Sequence, residues 1–294
     1  MKKLDLDVKM NYVREDVKNR PALSDDRTNV GKNLITLATT FDQKWLKNSY
    51  VTEDGKYYDW NNLDPYNLNP YWITNEMKNE SDKDRFSGTG GVLNYRITDK
   101  LSARLTAGGE VNLMKFKDFA PPTTPGKETG YLQERLFRNY TYNTELLVSY
   151  NDRVEDFSLG GNLGGNIFYV KNNTNTTTAK DMRMREVVAL QSFLIKEVTE
   201  DIYQKQINSL FATANVGYKD FLYLDATLRA DKSSTLPSGK NTYVYPSVST
   251  SFLFTEAFKM NKSFLSYGKI RASAAQVGSD TDPLSSGSDV CHDR

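Results

Sequence analysis

Leu93-Asn94-Tyr95-Arg96-Ile97-Thr98-Asp99-Lys100-Leu101-Ser102-Ala103-Arg104-Leu105-Thr106-Ala107 reads as two strands folded about a tight turn. Leu93, Tyr95 and Ile97 alternate with polar residues, and Leu101, Ala103, Leu105 and Ala107 do the same after Thr98-Asp99-Lys100. Side chains in a strand point to opposite faces with period two, so each arm has one apolar face and one polar face. The short polar linker makes the arms an antiparallel hairpin.

Working outward, the same unit recurs. The first strand spans about Lys2 to Val13, with Leu4, Leu6, Val8, Met10 and Tyr12 on one face and Lys3, Asp5, Asp7, Lys9 and Asn11 on the other. Further strands span about 85–97, 101–112, 139–150, 157–170, 203–218, 221–230, 243–254 and 263–275. Short turns are expected at Asn151-Asp152-Arg153 and Lys219-Asp220, and a helical turn at 255–262. Long connections are expected at 14–84, 113–138, 171–202 and 231–242, alternating with the short ones. The run Asn172-Asn173-Thr174-Asn175-Thr176-Thr177-Thr178 reads as a mobile loop tip. The fold class is therefore all-β, an antiparallel meander of about nine long strands. Connections sorted short at one end and long at the other are the sequence signature of a transmembrane β-barrel. An odd strand number and two free edges make the chain an open section of a larger sheet.

Composition narrows the function. The 294 residues carry a formal net charge of +1 and no basic stripe, which gives nucleic acid no electrostatic footprint. Hydrophobic residues make up 38% and no run of eighteen apolar residues exists, so the chain does not cross a membrane as a helix. Cys291 and His292 are adjacent in a polar tail, too few for a zinc site and without partners for nucleophilic catalysis. Asp5 and Asp7 share a face with Lys3 and Lys9, as a solvated mixed-charge face does. Gly160-Gly161-Asn162-Leu163-Gly164-Gly165 and Gly88-Thr89-Gly90-Gly91 lack the helix and Lys-Ser/Thr pair of a phosphate loop. In strands such glycines mark curvature or close packing beneath an aromatic ring. No enzyme, cofactor or metal is expected. The N-terminus lacks the apolar stretch of a signal peptide, so an export signal is expected elsewhere.

Several strings, taken in order, resemble one family. They are Asn19-Arg20-Pro21, Asn69-Pro70-Tyr71-Trp72, the hairpin Leu93–Ser102, Tyr223-Leu224-Asp225-Ala226-Thr227-Leu228-Arg229-Ala230-Asp231-Lys232-Ser233-Ser234, Tyr245-Pro246-Ser247-Val248-Ser249 and Gly268-Lys269-Ile270-Arg271-Ala272-Ser273. Together they resemble the SusC/RagA-like TonB-linked outer-membrane transporters of Bacteroidota. The resemblance implies a 22-stranded barrel in the outer membrane, a SusD-like lipoprotein lid, energy from the TonB complex, and oligosaccharides or peptides as cargo. It covers a middle section, 1–283, without plug, TonB box or closing strand. The remaining 284–294 is expected to be disordered or aberrant. Two other readings stay open: a soluble or surface-anchored all-β carbohydrate- or peptide-binding module, and a nonfunctional truncated remnant.

Candidate ligand-binding aromatics are Trp60, Tyr66, Tyr71 and Trp72 in the first long connection, because aromatic faces stack on sugar rings and peptide groups. Packing within the loop, or docking of the lid, is the competing role. It is the preferred one for Tyr71 and Trp72, whose string recurs in the family. Tyr12, Tyr140, Tyr150, Tyr169 and Tyr218 at strand ends are expected to contact outer-membrane lipid at its interface.

Overall fold

The computed structural model describes residues 3–237, 239–260 and 265–278. One antiparallel sheet of ten strands holds them. The strands are β1 (Leu4–Asp7), β2 (Asn11–Lys18), β3 (Lys78–Arg96), β4 (Leu101–Ala120), β5 (Tyr131–Val154), β6 (Phe157–Met182), β7 (Phe193–Tyr218), β8 (Leu222–Ser233), β9 (Thr242–Phe252) and β10 (Ile270–Ala275). Each pairs with the next in sequence, except that β1 and β2 both pair with β3. The first expected strand is thus one edge interrupted at 8–10 and continued to Lys18. The sheet is open, as the meander predicted.

The strands are longer than the alternation showed. β3 to β7 run 19, 20, 24, 26 and 26 residues. Most of the expected loops 113–138 and 171–202 are therefore strand, and the connections shrink to 121–130 and 183–192. The first long connection spans 19–77 and the last 234–241. Asn172–Thr178 is no loop tip: it pairs with 133–139 of β5 and 197–203 of β7. Two flanking ladders satisfy its backbone, and its threonines are β-branched residues suited to a pleated surface. The expected turn at Asn151-Asp152-Arg153 is also strand, and the chain reverses at Glu155-Asp156, with Glu155 at φ 52°. At Lys219-Asp220 the turn is where expected, with φ of 47° and 59° and Phe221 N–H donating to the Tyr218 carbonyl. That is the left-handed geometry that suits hairpin twist. The helical turn near 255–262 is Phe254–Ala257. The expected strand 263–275 reduces to Ile270–Ala275 among the described residues. The tail 284–294, with Cys291 and His292, lies outside the described residues.

Register sorts the side chains into two faces. One cross-strand row joins Leu6, Leu93, Leu105, Leu146 and Gly165, and parallel rows bring in Leu163, Ala212 and Leu228. Between Tyr95, Tyr150, Phe157 and Tyr218 at one end and Tyr12, Phe86, Tyr140, Tyr142 and Tyr169 at the other, this face carries no charge among the described residues. The opposite face is polar. There Arg104 Nε donates to Asn94 Oδ1 (2.8 Å), Asn162 Nδ2 to Thr213 Oγ1 (2.8 Å), and Asn215 Nδ2 to Asp225 Oδ1 (2.6 Å). The Gly88–Gly91 bulge shifts the β3 register and exchanges its faces, which keeps Phe86 on the apolar side with Leu93. A Cβ on Gly88 would drive into the Lys9 carbonyl, so the glycine admits the edge strand. Gly164 lies beneath the Phe211 ring.

The apolar face is uncovered. Leu163 is 58% exposed and Leu210 62%. In a bilayer, Leu163→Arg should cost about 2–4 kcal/mol, while Thr227→Arg on the polar face should stay within about 0.5 kcal/mol. Urea unfolding of the full-length protein in vesicles measures both, and equal costs would contradict the assignment of faces.

Candidate functional site

The closed packing of the molecule lies beyond the aromatic rows, where the long connections meet the strand ends. In 19–77 the chain forms three short helices, each started by a side-chain cap. Asn29 caps α1 (Val30–Ile35), Asp42 caps α2 (Gln43–Asn48) and Asn69 caps α3 (Pro70–Asn75), whose first residue is a proline needing no donor. These turns carry Trp72, Leu68, Tyr57 and Met77 into a core closed by Ala120, which lies on the polar side of the sheet. A second core of Phe119, Leu132, Ala179, Met182 and Phe193 is covered by Val188 and Leu190 of the 183–192 connection.

Polar groups tie 19–77 to 121–130. Trp72 is fully buried, and its Nε1 donates to Thr124 Oγ1 (3.0 Å), which donates to the Pro121 carbonyl (2.7 Å). The Tyr57 ring meets Trp72 edge-on at 5.2 Å, and Tyr57 N–H donates to Thr123 Oγ1 (2.8 Å). The Tyr57 hydroxyl accepts from Trp60 Nε1 (2.8 Å) and Asn69 N (3.0 Å). Burial raises the Tyr57 phenol above its ordinary range, the buried neutral form being favoured. Lys127 sits 3.5 Å from the centre of the Tyr131 ring and 3.7 Å from Asp118. Burial holds its ammonium below the ordinary lysine range, and Asp118 opposes the shift. Arg27 Nη1 donates to the Pro125 carbonyl (3.2 Å) over Gly126, whose φ is +74°.

This architecture has solved counterparts. The RagAB peptide importer in its closed-closed state superposes with a TM-score of 0.61 at 19% identity, over 70% of this chain and 23% of that one. A second structure of the RagAB peptide transporter gives 0.61 at 17% identity, over 74% and 25%. In sequence, TonB-dependent receptor P39 of Formosa agariphila is 22% identical over 210 residues, which are 68% of this chain and 20% of that receptor. The chain is similar in sequence to a TonB-dependent receptor and shares the fold of part of the RagAB transporter wall. It spans about a fifth of the curated receptor's length. No protein-family pattern matches it.

Against this receptor fold, the expected ligand aromatics separate. Trp72 is core and presents no face to solvent. Tyr71 is half-buried at the start of α3. Tyr66 stands 71% exposed, its carbonyl held by Lys32 Nζ at 2.9 Å. Trp60 joins an outcrop that the sequence reading missed. Its ring meets Phe41 edge-on at 5.3 Å, Phe41 lies 6.2 Å from Trp45, and Trp45 lies 6.1 Å from Tyr58. Phe41, Trp45 and Tyr58 are each more than a third exposed. The available signal was the spacing of Phe41 and Trp45, four apart across the Asp42 cap, which a helix brings onto one side. Such rings can stack on sugar faces or clasp apolar peptide side chains, and they bring no group capable of covalent chemistry. The five strand-end tyrosines all fall on the apolar face, Tyr150 and Tyr218 at the short-turn end and Tyr12, Tyr140 and Tyr169 at the other.

Trp72→Ala should remove about 3–5 kcal/mol from the packing of this excursion. Hydrogen exchange should then accelerate across 19–77 and leave β5 to β7 protected. Acceleration spread evenly through the sheet would contradict local docking.

Proposed function

We propose that this chain forms part of the wall and outer loops of a TonB-dependent outer-membrane transporter that imports peptides or oligosaccharides. The observation that carries the reading is the uncharged band between two aromatic rows on one face, backed by a polar face, in a sheet shaped like the RagA-type wall. Lipid covers the band, the tyrosine rows sit at the two interfaces, and the polar face lines the lumen. A water-soluble module would leave Leu163, Leu210 and Leu228 exposed on one apolar face in water, and contiguous faces of that kind mark interaction or membrane surfaces.

On this reading the long-connection end is extracellular. The excursion 19–77 docks on the lumen side, through Ala120 and Tyr131, and overhangs the mouth. Phe41, Trp45, Tyr58 and Trp60 form its ligand-contact surface, and Tyr66 offers a further exposed ring on the same excursion. A SusD-like lipoprotein closes over the loaded mouth, and TonB supplies the energy that moves cargo inward. The strand-borne residues hold the wall and take no chemical part.

The test is the double variant Phe41→Ala/Trp45→Ala in the full-length protein, assayed for peptide and oligosaccharide binding by calorimetry and for uptake by cells. Loss of two aromatic anchors should weaken binding about tenfold or more, at roughly 1 kcal/mol or more each. The heat-modifiable gel mobility of the barrel should be unchanged. Undiminished binding would remove the outcrop from the ligand site.

A further inference from the structure

Above the aromatic rows the sheet has a step. β7 runs 26 residues, while β8 and β9 run only 12 and 11. β7 meets β8 only from Ile207 onward, yet its ladder with β6 continues up through Ile195. The lane beside the upper part of β7 belongs to β8 by strand order, and β8 leaves it at Ser233 to turn back into β9. The step is therefore internal to the sheet, with β8, β9 and β10 beyond it.

Alternation fixes which backbone groups face that lane. Gln206 faces it, since its N–H donates to Ser234 Oγ (2.9 Å) and its carbonyl accepts from Ser234 N–H (2.9 Å). Counting back by two, the N–H and C=O groups of Lys196, Val198, Glu200 and Ile202 point the same way. They have no strand partner there among the described residues. Every residue from Leu194 to Ile202 is exposed, Val198 by 67%. An exposed edge carrying apolar side chains is a template for another strand.

The side chains say what kind of strand. Val198 and Ile202 stand on the side of the apolar band, and Glu197, Thr199 and Asp201 stand on the polar side. Across the β6 ladder Glu197 meets Thr178 and Asp201 meets Thr174, so neither finds a cation there. Neither carboxylate has an ion pair among the described residues, although Lys180 lies diagonal to Glu197. Glu200, on the other side, is already engaged by Asn173 Nδ2 at 2.9 Å. Two unpaired carboxylates thus stand four residues apart, roughly 14 Å along the strand. The open backbone groups recur every second residue, about 7 Å, which is the repeat of another extended backbone and of no sugar chain. On the proposed function this edge lies at the extracellular end with Glu197 and Asp201 toward the mouth, and the inference rests on that reading.

We propose that the upper edge of β7, 194–202, captures basic peptide cargo in extended form as an added strand. Lys196, Val198, Glu200 and Ile202 bond the peptide backbone, and Glu197 and Asp201 receive two cationic side chains four residues apart. Val198 and Ile202 contact apolar side chains on the opposite face of the peptide.

Three fluorescent nonapeptides of one alternating pattern test it, carrying two lysines four apart, two glutamates at the same positions, or two serines. Binding is measured on the full-length protein in nanodiscs. The dilysine peptide should bind at least tenfold more tightly than the diglutamate peptide. It should also slow hydrogen exchange at Val198, Glu200 and Ile202, while Thr199 and Asp201, already bonded to β6, stay as they were. Val198→Pro removes a donor from the lane and leaves the β6 ladder intact. It should weaken dilysine binding at least tenfold with the heat-modifiable gel mobility unchanged. Glu197→Lys/Asp201→Lys should invert the charge preference. Equal binding of the two charged peptides overturns the site. Dilysine binding and cellular uptake that both persist in Val198→Pro overturn the site and leave the transporter reading standing. Slowed exchange at the three amides without uptake of any peptide or oligosaccharide by the parent protein supports the site and overturns the transporter reading.

Discussion

In hydrocarbon, a backbone N–H or C=O without a partner costs several kcal/mol, because no water is there to bond it. A β-structure survives there only if every strand is bonded on both sides. That constraint organises this molecule. β5 is paired on both sides along its length, and the β6–β7 ladder continues past the aromatic rows through 171–180 and 195–204, with one further pair at Met182 and Phe193. Because register in such a ladder has period two, a slip of one residue would turn Leu163 and Leu146 to the polar face. The bulge at Gly88–Gly91 exchanges the two faces within β3, and the glycine at 88 is what lets the edge strand approach there.

The same constraint explains where the cores are. On the proposed membrane reading the uncharged part of the wall needs none, since lipid would cover one face and the lumen wet the other. Close packing begins only where the strands stand in water. There Trp72, Tyr57 and Leu68 on one side, and Phe119, Leu132 and Phe193 on the other, anchor the connections to the strand ends. The excursion is consequently fixed by buried aromatics and by the Trp72–Thr124 and Tyr57–Thr123 hydrogen bonds, and its outcrop is presented on a rigid base.

The sequence made the two-faced part of the sheet legible because one uncharged face and one polar face force strict alternation on it. Leu4 to Tyr12, Leu101 to Ala107 and Leu222 to Leu228 show it, and the turns at 98–100 and 219–220 followed from their polar residues, whereas the turn placed at 151–153 lies four residues further on, at 155–156. Beyond Lys171 and Leu113 both faces meet water or a packed loop, alternation loses its cause, and real strands read as loops. Asn172–Thr178 illustrates the limit: its asparagines suggest turns, while pairing with two neighbours makes it a strand. Among the aromatics, residue type alone could not separate Trp72, enclosed by tertiary packing, from Trp60 at the surface. Phe41 and Trp45 were missed because the helix that aligns them is only one turn and a half long, and most of its stability comes from docking.

The central claim is that one face of this sheet lies in lipid and that the strands continue beyond it. Single spin labels placed in turn along β6 of the full-length protein test it most directly, through their accessibility to oxygen and to a water-soluble nickel chelate. Odd positions from 159 to 169 should be oxygen-accessible and nickel-shielded, even positions should be the reverse, and the alternation should end near Lys171 with nickel access at every site outside the packed core. Nickel access at Leu163 and Ile167 equal to that at their even neighbours would contradict the account.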